Sequence, residues 1–297
     1  MKIKELKQLQ PSVFHRFVAV LEQNRLAHAY LFSGDFASFD MALFLSQVLF
    51  CSDKIGSFPC EQCRTCRLIA AGEFSDVTVI APQGNMIKTE TVRDLVKNFS
   101  QSGFESNQQV FIIRDAEKMH VNAANSLLKV IEEPQSDIHI FLLTNHEEAI
   151  LPTIKSRTQI IHFPKQLAVL EQLLEKEGLL KTQANLLARL VSSQDEAKKL
   201  VQNRTFLELL VQAQKFSHLL LSQADKAYLQ VGRLVHLAGE KADQERLFDL
   251  LSLLIAEKMM EPSGQRLLTG VLQVKKMWQA NVSLQNCLEY LALIKPE

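Results

Sequence analysis

Residues 25–41 read RLAHAYLFSGDFASFDM, and the way this stretch divides decides the fold. Ala29-Tyr30-Leu31-Phe32 is a short apolar run suited to a buried strand, and helical spacing resumes from Phe39 to Phe50. Between them lies Ser33-Gly34-Asp35-Phe36-Ala37-Ser38, so strand, loop and helix follow one another as they do around a phosphate-binding loop of pattern G-x4-G-K-[ST]. Only Gly34 fits that pattern. The second glycine is Phe39, whose side chain crowds any close approach of phosphate to backbone. Asp40 stands where lysine would meet the phosphates, and Met41 stands where a hydroxyl would hold magnesium. Taken alone, the segment reads as an ordinary loop.

Outward from this stretch the alternation continues. Val13 to Asn24 has helical periodicity, and Val77-Thr78-Val79-Ile80, Val110-Phe111-Ile112-Ile113, Ile138 to Leu143 and Ile160 to Phe163 are four more apolar runs. Near-continuous apolar strands separated by helices predict a parallel sheet covered on both faces, an α/β domain over residues 1–165. After Pro164 the composition changes to Leu, Ala, Gln, Lys and Glu at helical spacing, with no strand expected. Breaks near Gly178, Ser192-Ser193, Asn203, Ala238-Gly239, Pro262-Ser263-Gly264 and Asn281 divide it. They predict a small helical domain over 166–203 and a larger helical domain over 204–297.

The 297 residues carry 33 Lys and Arg against 33 Asp and Glu, so no basic excess supports autonomous nucleic-acid binding. No apolar run approaches the roughly 20 residues of a membrane span, and the first residues lack a secretory apolar region. The expectation is a cytoplasmic protein whose thiols stay reduced. Four of its five cysteines, Cys51, Cys60, Cys63 and Cys66, have the spacing C-x8-C-x2-C-x2-C. Two overlapping C-x2-C turns plus a fourth thiolate make a closed tetrahedral shell, which predicts one structural zinc per chain in a module at about 51–66. Redox use of one C-x2-C pair would leave the other two cysteines unexplained. Cys287, in an apolar helical stretch, is expected to be a core thiol, and His28 and His162, flanking strand runs, to be satisfied inside the fold.

The segment RLAHAYLFSG, followed by a phosphate-loop position and this cysteine spacing, resembles the bacterial clamp-loader family of AAA+ proteins, the gamma/tau and delta-prime subunits of DNA polymerase III. Ile87 to Leu95, Asp115 to Met119, Ala124 to Pro134 and Phe141 to Asn145 are similar to further family segments, and Ile154-Lys155-Ser156-Arg157-Thr158 is similar to its Ser-Arg-Cys segment, with Thr158 replacing the cysteine. The resemblance implies that Arg114 replaces the magnesium-binding aspartate, that Asp115 takes the place of the catalytic glutamate, and that Asp195 aligns with the sensor-2 arginine. Together with Phe39, Asp40 and Met41, these departures resemble the delta-prime branch, which does not hydrolyse ATP.

What the resemblance implies for this chain follows from that branch. It would bind no ATP. It would offer Arg157, positioned by Ser156, as an arginine finger to ATP on a neighbouring subunit, and use Thr144 and Asn145 structurally. Residues 166–203 would be a lid and 204–297 a collar. Partners would be gamma/tau and delta in a hetero-oligomer within DNA polymerase III holoenzyme, a nucleotidyltransferase, with indirect contact to the sliding clamp and primed DNA and none to membrane. A gamma/tau-type ATPase with a divergent loop is the alternative, opposed by Asp40 and Arg114. A stand-alone zinc DNA-binding protein is opposed by the neutral charge.

Overall fold

The computed structural model describes residues 2–82, 84, 86–98, 108–134 and 137–294. They fall into two compact units, Met1–Gln166 and Leu167–Glu297. The first unit begins with α1 (Ile3–Leu9) and α2 (Pro11–Glu22). Pro11 opens α2 at a position whose N–H would be unbonded in any case. Then come β1 (Ala29–Ser33), α3 (Ser38–Phe50), α4 (Arg64–Ala71), β2 (Val77–Ile80), α5 (Thr89–Asn98), β3 (Gln108–Ile113), α6 (Val121–Glu132), β4 (Asp137–Thr144), α7 (Pro152–Lys155) and β5 (Gln159–His162).

The five strands form one sheet in the order β2-β3-β4-β1-β5, and every pairing is parallel. Register sets Leu31 beside Leu142 and Ile160, and Phe32 beside Leu143 and Ile161. Alternate residues of the central strands go to opposite faces, and both faces are buried, which is why their sequence is continuously apolar. On one face Tyr30 and Phe32 meet Phe17 of α2, with ring centroids 5.4 Å and 5.7 Å from it, and Phe141 packs on Tyr30 and Phe32. On the other, Leu31, Ile113, Ile140 and Leu142 pack with Ala123, Leu127 and Ile131 of α6.

Because β1 lies between β4 and β5, its carboxyl end opens beside the ends of β3 and β4. That crevice is where parallel α/β sheets bind ligands. The sheet edge explains one departure from expectation. His162 ends the edge strand β5 and is exposed, 3.4 Å from Glu147, instead of enclosed. His28 does find an internal partner, the Ile131 carbonyl oxygen at 2.7 Å.

The second unit is helical throughout its described residues: α8 (Leu167–Lys176), α9 (Lys181–Leu190), α10 (Gln194–Gln202), α11 (Arg204–Ser222), α12 (Ala224–Leu237), α13 (Lys241–Ala256), α14 (Pro262–Gln279) and α15 (Leu284–Leu293). It groups as one compact unit in which α9 packs on α13. A helix break falls at Asn203, which ends α10 and whose side chain accepts from the Phe206 N–H to begin α11. Cys287 is fully buried, and burial pushes its thiol pKa up. No helix among the described residues is long and apolar enough to cross a membrane.

Candidate functional site

At the carboxyl end of β1 the loop turns on Gly34, whose φ is +106° and whose N–H donates to the Thr144 carbonyl at 2.8 Å. A Cβ at Gly34 would lie 2.5 Å from the main-chain oxygen of Phe163. The glycine is therefore required by the close passage of the chain after β5, whether or not a phosphate is bound. Ala37, at φ +66°, precedes α3, and Asp40 stands in the first turn of that helix. A carboxylate there suits the helix dipole and repels a phosphate.

Phe39 and Arg114 come from opposite sides of the loop and meet. The Arg114 guanidinium lies over the Phe39 ring, 4.7 Å from its centroid, a cation–π contact. The two residues stand where the phosphate-loop pattern has its second glycine and where the resemblance places the magnesium-binding aspartate. What remains between Gly34, Ser38, Arg114, Asp115 and Thr144 is a cavity of about 10 Å³, room for about one water. Ser38 Oγ lines it, buried and without a hydrogen-bond partner in the protein. Met41 is fully buried and belongs to the core.

Two further motif positions, Asp115 and Thr144, also have partners within this chain. Asp115, in left-handed backbone at φ +49°, pairs with Lys118 at 3.2 Å. Thr144 donates its hydroxyl to Glu117 at 2.7 Å and accepts the His146 N–H at 3.0 Å. Asp195 lies in the first turn of α10, and its side chain is outside the described residues.

Arg157 sits apart from this crevice, between α7 and β5, with 36% of its side chain exposed. Its Nε donates to Glu132, the last residue of α6. Its Nη1 donates to the Thr153 carbonyl at 3.0 Å and to Ser156 Oγ at 3.2 Å. Ser156 in turn donates to the Thr153 carbonyl at 3.1 Å, tying the arginine to α7. Lys155 donates to the Glu147 carbonyl at 3.3 Å and is half-buried.

The four cysteines do converge. Cys51 ends α3, Cys63 caps the start of α4 and Cys66 lies in the first turn of α4, so two helix ends and the loop between them bring the thiols together. All four sulfurs lie within 4.8 Å of one another, Cys51 and Cys63 at 3.9 Å. Main-chain N–H groups of Cys60, Cys63 and Cys66 donate to the sulfurs of Cys51, Cys60 and Cys63 at 3.2–3.4 Å. Burial opposes a thiolate at Cys63, but the Cys66 N–H and the neighbouring thiols outweigh it and lower its pKa to about 6. Burial pushes the Cys51 and Cys66 thiols up. A set of four sulfurs at this spacing can hold a metal ion.

A family model described as DNA polymerase III, delta subunit, matches residues 9–167. The DNA polymerase III subunit delta′ of Bacillus subtilis (strain 168) is 32% identical over 99% of this chain and 98% of its own length. The chain belongs to the DNA polymerase III delta′ subunit family. Another member, subunit delta′ of Escherichia coli (strain K12), is 32% identical over 163 residues, 52% of this chain and 49% of that protein. Among solved structures, a DNA polymerase III gamma subunit-related protein of Thermotoga maritima has the same fold, with a TM-score of 0.56 at 20% identity over 94% of this chain and 97% of that one.

For this delta′ family member, reading the sequence alone singled out the residues of the loop, the cysteines and Arg157, but missed Glu132 and Glu117. Glu117 carries no local signal. Glu132 does: an acid in the last turn of a helix opposes the dipole, so a nearby cation was to be looked for.

Proposed function

We propose that this chain is the subunit of a clamp-loading AAA+ ring that binds no ATP itself and presents Arg157 to ATP held by a neighbouring subunit. The observation that carries this reading is the Arg114–Phe39 contact, beside a cavity of only about 10 Å³ between Gly34, Arg114 and Thr144. Asp40 and Met41 agree with it, offering repulsion in place of a lysine and a thioether in place of a magnesium ligand. Arg157, half exposed beside Ser156, has the chemistry of a group that stabilises charge on a transferring phosphoryl, a role worth about 10³–10⁵ in rate where it has been measured.

In this reading the partners are gamma/tau and delta, and through them the sliding clamp and primed DNA, in the cytoplasm. Residues 166–203 act as a lid and 204–297 as a collar. The cysteine cluster holds one zinc. Tetrahedral Zn–S bonds of about 2.3 Å set sulfurs about 3.8 Å apart. The observed spread, up to 4.8 Å, needs only a small inward shift. Four protein ligands leave no place for a reactive water, so the metal fixes the loop between α3 and α4 and takes no part in hydrolysis.

The test has two arms. Titration of the isolated chain with magnesium ATP should show no binding at micromolar concentrations. The complex reconstituted with Arg157→Ala should assemble and hydrolyse ATP far more slowly on primed DNA. Micromolar affinity would overturn the first half of the reading, and unchanged hydrolysis the second.

A further inference from the structure

The surroundings of Arg157 hold information that its exposure alone does not. A guanidinium has five N–H donors. Three are committed within this chain: Nε to Glu132, and Nη1 to the Thr153 carbonyl and to Ser156 Oγ. Among the described residues the two hydrogens of Nη2 have no partner, so two of the three nitrogens are held and the third is uncommitted. The grip comes from two elements, because Thr153 and Ser156 belong to α7 and its end, whereas Glu132 closes α6.

Local preference does not account for Glu132. A carboxylate in the last turn of α6 faces the negative end of the helix dipole. Nor does stability: both members of the pair are well exposed, Arg157 at 36% and Glu132 at 46%, and exposed pairs add little to folding. What the pair does achieve is orientation. The carboxylate holds Nε and α7 holds Nη1, which determines the plane of the guanidinium and leaves Nη2 uncommitted.

We propose that Glu132 is a positioning residue for Arg157, holding the guanidinium so that its Nη2 edge is presented to a phosphoryl oxygen across a subunit interface. The inference rests on the reading of Arg157 as an arginine finger. Glu132 touches neither nucleotide nor reacting atoms; it acts through the arginine. It orders the side chain before a neighbour arrives, so that less conformational freedom is lost when the transition state forms.

The test uses the complex reconstituted with gamma/tau and delta and measures ATP hydrolysis on primed DNA for Glu132→Ala, Glu132→Gln, Arg157→Ala and the double variant. Glu132→Ala should lower kcat on the order of ten-fold, with KM for ATP unchanged, because a misplaced donor affects the transition state most. Glu132→Gln keeps an acceptor for Nε and should recover to within about three-fold of the unsubstituted complex. In the Arg157→Ala background Glu132→Ala should cost nothing more, since the two act as one unit. If Arg157→Ala slows hydrolysis and Glu132→Ala leaves kcat unchanged or raises it, the positioning role is wrong while the finger stands. Unchanged hydrolysis with Arg157→Ala removes the finger itself, and the proposal with it. Equal losses in Glu132→Gln and Glu132→Ala would also overturn it.

Discussion

Gly34→Ala separates two reasons for keeping a glycine in the phosphate-loop position. If the glycine served only to let a phosphate approach, alanine would leave the fold almost untouched. The structure says otherwise. At φ +106° an L side chain is strained, and its Cβ would lie 2.5 Å from the Phe163 main-chain oxygen, where ordinary contacts begin near 3.4 Å. That oxygen has little room to retreat: the Phe163 N–H donates to Ser33 at 2.7 Å, and its ring packs on Phe32 at 4.8 Å. Backbone strain of about 1–3 kcal/mol and overpacking of about 1–3 kcal/mol together give a loss of about 2–6 kcal/mol. Gly72→Ala supplies the control, because its φ is +75° and nothing lies within 4 Å of a new Cβ. It should show strain alone, about 1–2 kcal/mol. Hydrogen exchange read by mass spectrometry on peptides covering 29–34 and 159–164, and on peptides covering 64–73 for the control, measures each loss where it arises, each factor of ten in exchange corresponding to about 1.4 kcal/mol. A Gly34→Ala loss no larger than that of Gly72→Ala would show that Phe163 yields freely, and the packing explanation would fail.

Two further outcomes are expected. Elemental analysis should find one zinc per chain, and Cys66→Ser, which removes a buried sulfur in the first turn of α4, should abolish it; full zinc content in the variant would refute a four-thiolate site. Burial holds the His139 imidazole pKa below its usual 6.5, against the opposing influence of the Ala27 carbonyl at 3.1 Å and of Asp137, with His28 adding to the depression. The unfolded chain then binds this proton more readily than the folded one, so stability is whole above about pH 6.5 and falls as pH drops below it. Denaturation followed from pH 7.5 to 5.5 should show a shallower acid loss for His139→Gln, and identical slopes would count against the assignment.

Much of the fold was legible because its determinants are local. The central strands are apolar at every position because both faces are covered, so Leu31 and Phe32 could be read together although they point opposite ways. The cysteines could be grouped from spacing alone, since a C-x2-C turn fixes its own geometry. Seven-residue α1 is too short for its periodicity to stand out among its three charged residues, Lys4, Glu5 and Lys7. The contacts that give the site its character were out of reach for another reason. Phe39 meets Arg114, Thr144 meets Glu117 and Arg157 meets Glu132 only because the strand order brings distant segments to one end of the sheet or to neighbouring helix ends.

Those contacts also explain how the strand-loop-helix fold accommodates other residues at the phosphate-loop positions. Each motif position is filled by a residue with a packing or pairing role of its own: Met41 in the core, Phe39 under Arg114, Asp115 with Lys118, Thr144 with Glu117. The Phe39–Arg114 contact is worth only about 0.5–1 kcal/mol at an exposed site, so stability is not its chief consequence. Its consequence is steric and electrostatic, and it is shared between two segments. Returning Asp40 to lysine leaves the ring in place, and returning Phe39 to glycine leaves no aspartate for magnesium. Because Phe39 and Arg114 come from different segments and meet in the fold, the effects of substituting them on this crevice are expected to be coupled, not additive.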